Sequence, residues 1–295
     1  MPLVGGIAVA AAGVKLVQNV GERSNTTLDI LSVVLLAAGI TAFVYSVGEF
    51  SANLIAGVVA LFAAVVLLGL FAARQLKLEH PVLNVRPMAS VCFWPACLLV
   101  VVSMMTTFSM SVLLPLYFEG AYGMTALIAG LLILPAIACN AVTSIVGGRV
   151  MDARGAWPLL PVGFALIAVG QTAISMTAAS MNIGVVVALT VVVYAGVGLV
   201  LSPSQTAGLE TLPAAEHPHG TALLNTWNMI AASFGPSLFI GLLSSSAATA
   251  GVTGAATDVA QAIGFATAVR VAAVIAVVGF ATSLVYARRE SHMSH

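Results

Sequence analysis

Charge is what this sequence has least of. Ten Lys and Arg and ten Asp and Glu make up 7% of its 295 residues and cancel to a formal net charge of zero. A soluble domain carries about 25% charged residues, so a solvated surface is excluded, and with 60% hydrophobic residues and a mean hydropathy of +1.10 the solvent for most of the chain is lipid. Cysteine is scarce too. Cys92, Cys97 and Cys139 all fall in apolar runs, which excludes a disulfide framework or a zinc-ligand spacing. No basic stretch precedes the first apolar run, so the start is not read as a cleavable signal. The most informative scarcity is one of depth: no Asp, Glu, His, Lys or Arg lies near the middle of any long apolar run. Such groups cost about 2.5–3.5 kcal/mol each at the bilayer centre and mark function where they occur. Their lack excludes an intramembrane protease, a proton relay or a metal-dependent membrane enzyme in this segment. The expectation is a non-enzymatic protein without metal or cofactor and with no nucleic-acid partner.

What the sequence does have is spans. A membrane helix needs about 20 mostly apolar residues. Eight segments meet that length: 28–48, 53–73, 93–116, 125–146, 158–178, 184–205, 221–243 and 266–286. Residues 2–14 are apolar but stop at Lys15, and they read as the inner part of a helix that begins elsewhere. If the eight segments alternate across the bilayer, Lys15, Arg23, Arg74, Lys77, Arg86, Arg149, Arg154, Arg288 and Arg289 all fall on one side. The positive-inside rule makes that side cytoplasmic. The opposite loops, near Glu49, Glu119, Ser180 and Asp258, hold no basic residue, and Arg270 near the outer end of the last span can snorkel. The expectation is a multi-pass inner (plasma) membrane protein with a cytoplasmic C-terminus.

The densest charge lies in "GGRVMDARGAWP", residues 147–158, between two apolar runs. It reads as a tight cytoplasmic hairpin loop. Gly147 and Gly148 permit close packing of a helix end, Gly155 permits a turn with positive φ, and Pro158 suits the first turn of the next helix. Topogenic charge plus turn chemistry accounts for it without any further role. Residues 75–90 form the longest polar segment between spans and read as an amphipathic boundary; 206–220 form a second cytoplasmic loop, and 246–262 leave room for a short interfacial helix. Prolines recur at corresponding places: Pro115 and Pro203 close one pair of spans, Pro135 and Pro236 sit within another. That echo suggests a 3+3 repeat, as in many transporters. His217, His219, His292 and His295 lie in polar segments and read as loop and tail residues.

Neutral polar groups inside the spans remain. Ser103, Thr107 and Ser111 recur at helical spacing beside Met110, and Asn140, Gln171, Asn225 and Asn228 occupy other spans. Each can be an interhelical hydrogen bond. Together, Ser103, Thr107, Met110, Ser111, Asn140, Asn225 and Asn228 can instead line a tolerant cavity for an amphiphilic molecule. Gly196 and Gly198 allow close approach or bending, and Pro135, Pro203 and Pro236 interrupt backbone hydrogen bonding within a bundle.

"GRVMDARG" resembles the cytoplasmic loop motif of the major facilitator superfamily, with Gly148, Val150, Asp152, Arg154 and Gly155 in register. "LPLYFEGAYGMTALIAGLLILPAIA", "GVGLVLSPSQTAGLETLPAAEHPHGTALLNTWNMIAASFG" and "EHPVLNVR" are similar to junctions of its fourteen-span drug:proton antiporter subfamily. The resemblance implies an all-α polytopic bundle of about eight full transmembrane helices plus a partial N-terminal one. Residues 1–21 would be the remnant of the last helix of an N-terminal unit, 22–75 an inserted helix pair, 76–90 a cytoplasmic amphipathic linker, and 91–295 the C-terminal six-helix unit with its tail. Gly148, Asp152, Arg154 and Gly155 would form a cytoplasmic gating loop, with Asp152 latching one state of a rocking cycle. The implied function is multidrug efflux by proton antiport, present as a C-terminal fragment not active alone. The acidic and basic residues with which the family couples protons have no counterpart here, and Asn228 stands where relatives often carry a basic residue. Expected partners are membrane lipid, a small amphiphilic substrate and an N-terminal helical unit. A half-transporter with a separately encoded partner, or a non-transporting membrane assembly subunit, are the alternatives.

Overall fold

The computed structural model describes residues 29–49, 53–78, 84–157 and 159–293. The segment 1–21 with Lys15, Arg23, Pro158, His295, and the side chains of Arg288, Arg289 and His292 therefore lie outside what is described. The described residues form eight α-helices: α1 (Ile30–Glu49), α2 (Leu54–Lys77), α3 (Phe93–Tyr122), α4 (Ala126–Arg154), α5 (Leu159–Thr177), α6 (Ile183–Glu210), α7 (His217–Val252) and α8 (Thr257–Met293). Seven are long and apolar enough to cross a membrane, and α1 holds a shorter apolar stretch, Ile30–Ser46. The fold is an all-α helical bundle, as lipid demands: a helix satisfies its own backbone where no water can.

Local chemistry sets the helix ends. Asn53 caps α2 by accepting from the amides of Ile55 and Ala56 at 3.1 and 3.2 Å, and Asn182 caps α6 by accepting from Val185 N at 3.3 Å. Gly123 (φ 64°) and Gly155 (φ 76°) end α3 and α4 in the positive-φ region that glycine enters at little cost. The helices outrun the apolar segments read from sequence. The segment 221–243 becomes His217–Val252, and 266–286 becomes Thr257–Met293. Hydropathy marks only the lipid-facing length, whereas backbone bonding carries each helix past the headgroups. Residues 246–262 correspondingly hold no separate interfacial helix: α7 runs to Val252, a turn with Gly254 at φ 94° follows, and α8 begins at Thr257.

Helix pairing in the last six helices has a two-fold pattern. Helices α3, α6, α5 and α8 form a four-helix core, each packed on the next in that order and α8 on α3. Outside it, α7 packs on α3 and α4 packs on α6. Exchanging α3, α4 and α5 for α6, α7 and α8 preserves most of these pairings, which is the 3+3 relation that the prolines suggested. Two tyrosines clasp the core at its ends. Tyr117 donates to Ala178 O at 2.8 Å and stacks on Phe265 at 4.2 Å, while Tyr286 donates to Ala207 O at 3.0 Å.

Helices α1 and α2 form a hairpin that meets this unit through a small apolar cluster: Phe71, Leu35 and Leu36 against Phe93, Leu223 and Trp227. Phe43 also lies 5.9 Å from Phe234, centroid to centroid. Inside the hairpin, Arg74 donates from Nε and Nη2 to the Asp29 carboxylate at 2.8 and 3.1 Å. Ser32 donates to the same carboxylate at 2.6 Å, and Gln75 donates to Ser32 Oγ at 2.7 Å. The bonded Arg74 guanidinium, seconded by Ser32, holds the Asp29 carboxyl well below the usual carboxylate range.

Candidate functional site

The two broad sides of the six-helix unit differ in chemistry. By their packing α4, α6, α3 and α7 follow one another, with α5 against α6 and α8 against α3, α5 and α7; α4 exposes an apolar face of its own, with Leu127, Leu131, Leu134 and Ile137. On α7, Asn225, Met229 and Ser237 are exposed and Ser233 is half-buried. Each four-residue step turns the helix by about 40°, so this run winds across about 120° of α7, and the exposed Ser245 lies about 80° further round. Beside α7, α3 exposes Phe108, Ser111 and Leu116 with Thr107 half-buried, and α6 exposes Ser202, Thr206 and Glu210. The opposite side is apolar: Val162, Val169 and Met176 on α5, and Val274, Val277, Val278 and Val285 on α8, broken by Arg270 and Thr172. Lipid accommodates the second surface at no cost. It does not accommodate a row of hydroxyls and carboxamides, which belongs against protein or water.

The hydroxyls of α3 and α7 on this side are partly satisfied by their own helices. Thr107 donates to Ser103 O, Ser111 to Phe108 O, Ser233 to Met229 O, Ser237 to Ser233 O and Ser245 to Leu242 O, all at 2.8–3.2 Å. Their remaining lone pairs face outward as acceptors. Behind these residues are polar atoms that are buried without a partner: Ser109 Oγ, Ser204 Oγ and Asn228 Oδ1 on α3, α6 and α7, and both amide atoms of Gln171 on α5.

The residues expected to line a cavity divide accordingly. Thr107, Ser111 and Asn225 are on the polar side and Asn228 stands partly behind it. Ser103 and Met110 are wholly buried, with Ser103 donating to Leu99 O at 2.9 Å. Asn140 faces α6, donating from Nδ2 to Tyr194 O at 3.0 Å. Ser202 on α6 and Ser233 and Ser237 on α7 were missed by sequence reasoning; the run Asn225, Met229, Ser233, Ser237 was the available signal on α7.

The glycines act as contact points. A Cβ at Gly198 would overlap Thr143 Oγ1 and come within 2.6 Å of Asn140 O, and one at Gly196 would meet Gly163 O at 2.6 Å. They join α6 tightly to α4 and α5. Helices α4, α6 and α7 run unbroken through Pro135, Pro203 and Pro236. Each proline lacks the amide that would close one backbone bond, without ending its helix.

At the C-terminal end of α4, Arg149, Asp152 and Arg154 are all exposed, Gly148 is half-buried, and Gly155 N donates to Met151 O at 2.9 Å to finish the helix. The loop to α5 is four residues long, with Ala156 buried beneath it. Asp152 makes no ion pair among the described residues, leaving its carboxylate and the nearby guanidinium groups available at the surface. The expected loop 206–220 shrinks to 211–216, since α6 runs to Glu210 and α7 begins at His217. His217 and His219 lie in the first turn of α7, where His217 Nε2 is 3.0 Å from Leu212 O and His219 Nδ1 accepts from Asn84 N at 3.4 Å.

Comparison with known proteins adds to this geometry. The sequence profile described as Major Facilitator Superfamily matches residues 27–236. A protein of Listeria monocytogenes named lincomycin resistance protein LmrB is 31% identical over 235 residues, 79% of this chain and 50% of that relative. The Bacillus subtilis protein YcnB, named an uncharacterized MFS-type transporter, is 32% identical over 271 residues, 91% of this chain and 57% of its own. The riboflavin transporter RibZ of Clostridioides difficile is 22% identical over 236 residues, 79% of this chain and 51% of its own. The chain spans about half the length of the curated relatives it matches.

Proposed function

Because the chain belongs to the Major Facilitator Superfamily, we propose that it is the C-terminal part of a secondary transporter that exports amphiphilic drugs in exchange for protons. In this reading it works with a second helical unit, and substrate sits between the two. One observation carries the reading: α6 and α7 expose Ser202, Thr206, Asn225 and Ser237 within their spans, whereas α5 and α8 expose mainly Val and Met. A neutral wall of Ser, Thr, Asn and Met tolerates varied amphiphiles, because it offers hydrogen-bond partners and a soft surface without demanding a fixed charge. The name of the lincomycin-resistance relative fits an antibiotic among its substrates. The wall carries no acid or base at depth, so the proton-carrying group belongs to the second unit. Asp152, with Arg154 beside it, latches the cytoplasmic side in one state of the cycle, as the family motif implies.

Dye efflux from cells tests this. The chain alone is expected to give none. Together with the N-terminal six-helix unit of a fourteen-span relative, it is expected to give efflux that a protonophore abolishes. In that pairing S237C should make efflux sensitive to a water-soluble thiol reagent, and V274C on the lipid side should not. Efflux by the chain alone, or equal insensitivity of both variants, overturns the reading.

A further inference from the structure

The hairpin α1–α2 carries a second kind of surface. Along α2, Phe62, Val66, Leu70, Ala73 and Lys77 follow one another at spacings of four, four, three and four residues, and all are exposed. Spacing of this kind makes a single lengthwise stripe. The opposite face, with Ala64, Phe71 and Gln75, is buried. From Lys77 down to Val66 the stripe covers 11 residues, about 16 Å of helix rise, the depth of one leaflet of a roughly 30 Å hydrocarbon core. Near its cytoplasmic end Leu70, Ala73, Arg74, Lys77 and Leu78 line a groove of about 300 Å³.

The charges at the head of this groove do not cancel. Arg74 is held in a two-point pair with Asp29, so those two charges neutralise each other. Lys77 is the last residue of α2, and Arg86 reaches back from the following turn to place Nη2 3.4 Å from Leu76 O, next to Lys77 in sequence. Among the described residues neither Lys77 nor Arg86 pairs with an acid. Two cations without an acidic partner among the described residues thus stand over an apolar stripe one acyl chain long, at the level where inner-leaflet phosphates lie.

The geometry points to a bound anionic phospholipid of the inner leaflet, its phosphate between Lys77 and Arg86 and an acyl chain along Ala73, Leu70 and Val66. Charge and apolar groove are matched to the two ends of one molecule. A free phosphate would use only the cations, and a zwitterionic lipid would leave the site's charge uncompensated. Such a lipid would fix the hairpin in the membrane plane on the side away from the six-helix unit.

Native mass spectrometry of the full chain released from phosphatidylcholine nanodiscs containing phosphatidylglycerol tests this. The wild-type chain is expected to retain phosphatidylglycerol in preference to phosphatidylcholine. K77Q/R86Q should lower that preference on the order of tenfold. A73W, which fills the groove and keeps both charges, should lower it as well. R149Q/R154Q, which removes two cytoplasmic charges elsewhere, should leave it intact, and millimolar inorganic phosphate should not displace the lipid. Unchanged retention in K77Q/R86Q or in A73W would overturn the site. So would an equal loss in R149Q/R154Q, which would mean general surface attraction, or displacement by phosphate, which would mean a headgroup-only anion site.

Discussion

At Gly198 a single hydrogen in place of a side chain decides how closely two helices approach. A Cβ there would collide with Thr143 Oγ1 and the Asn140 carbonyl, whereas a Cβ at Gly130 on the outer face of α4 would meet nothing within 4 Å. G198A is therefore expected to cost about 1–3 kcal/mol by overpacking. G130A should leave stability unchanged or raise it by up to about 1 kcal/mol, since Ala suits a helix interior better. Thermal denaturation of the two variants in one detergent checks the contrast. The sequence showed these glycines as permissive of approach or bending, and only the packed neighbours show that approach is their use. The same holds for Asn140. Its type and depth were legible, but its hydrogen bond to Tyr194 O depends on how α4 and α6 are rotated about their axes, and nothing in α4's own sequence sets that. The loop motif was easier to read, because Gly155 needs its positive φ from local turn geometry alone.

Elements were legible where lipid dictates them. A run of about 20 apolar residues has few fates besides a spanning helix, so each expected span within the described residues is a helix, seven of them long and apolar enough to cross and α1 shorter. Their ends were not legible, because outside the hydrocarbon the backbone can bond to itself or to water with little difference in hydropathy. The polar run on α7 was half seen: Asn225 stood out, while Ser233 and Ser237 are common in any spanning helix and gain meaning only once their burial is known. The hairpin adds a prediction of its own. Asp29 has its carboxyl lowered by Arg74 and Ser32. A depressed carboxyl gives stability that is fully present above its unfolded value near 3.8 and fades as pH falls below that. Hydrogen exchange in the last turn of α2, corrected for intrinsic rates, should therefore show protection that is flat between pH 8 and 5. D29N should lower that protection at pH 7. A steep change in wild-type protection across this range would mean the pair does not hold the hairpin closed.

At the scale of the whole molecule, the described residues form two three-helix sets that share a four-helix core, with a hairpin docked on one flank. The proposed transport role predicts that the exposed Asn225 and Ser237 of α7 face a second unit or water rather than lipid. If Asp152 latches the cytoplasmic side, D152N should slow paired-unit efflux about tenfold or more while leaving the denaturation midpoint unchanged, a combination that a packing role would not produce. All of this requires that the six-helix unit cross the bilayer with Arg149 and Arg154 inside. Labelling with a membrane-impermeant thiol reagent tests it most directly, using single cysteines in a chain whose Cys92, Cys97 and Cys139 have been replaced. W157C and a cysteine added to the C-terminal tail should react only after the cells are permeabilised, while S180C and D258C should react in intact cells. Reaction of W157C and the tail from opposite sides of the membrane would contradict the account.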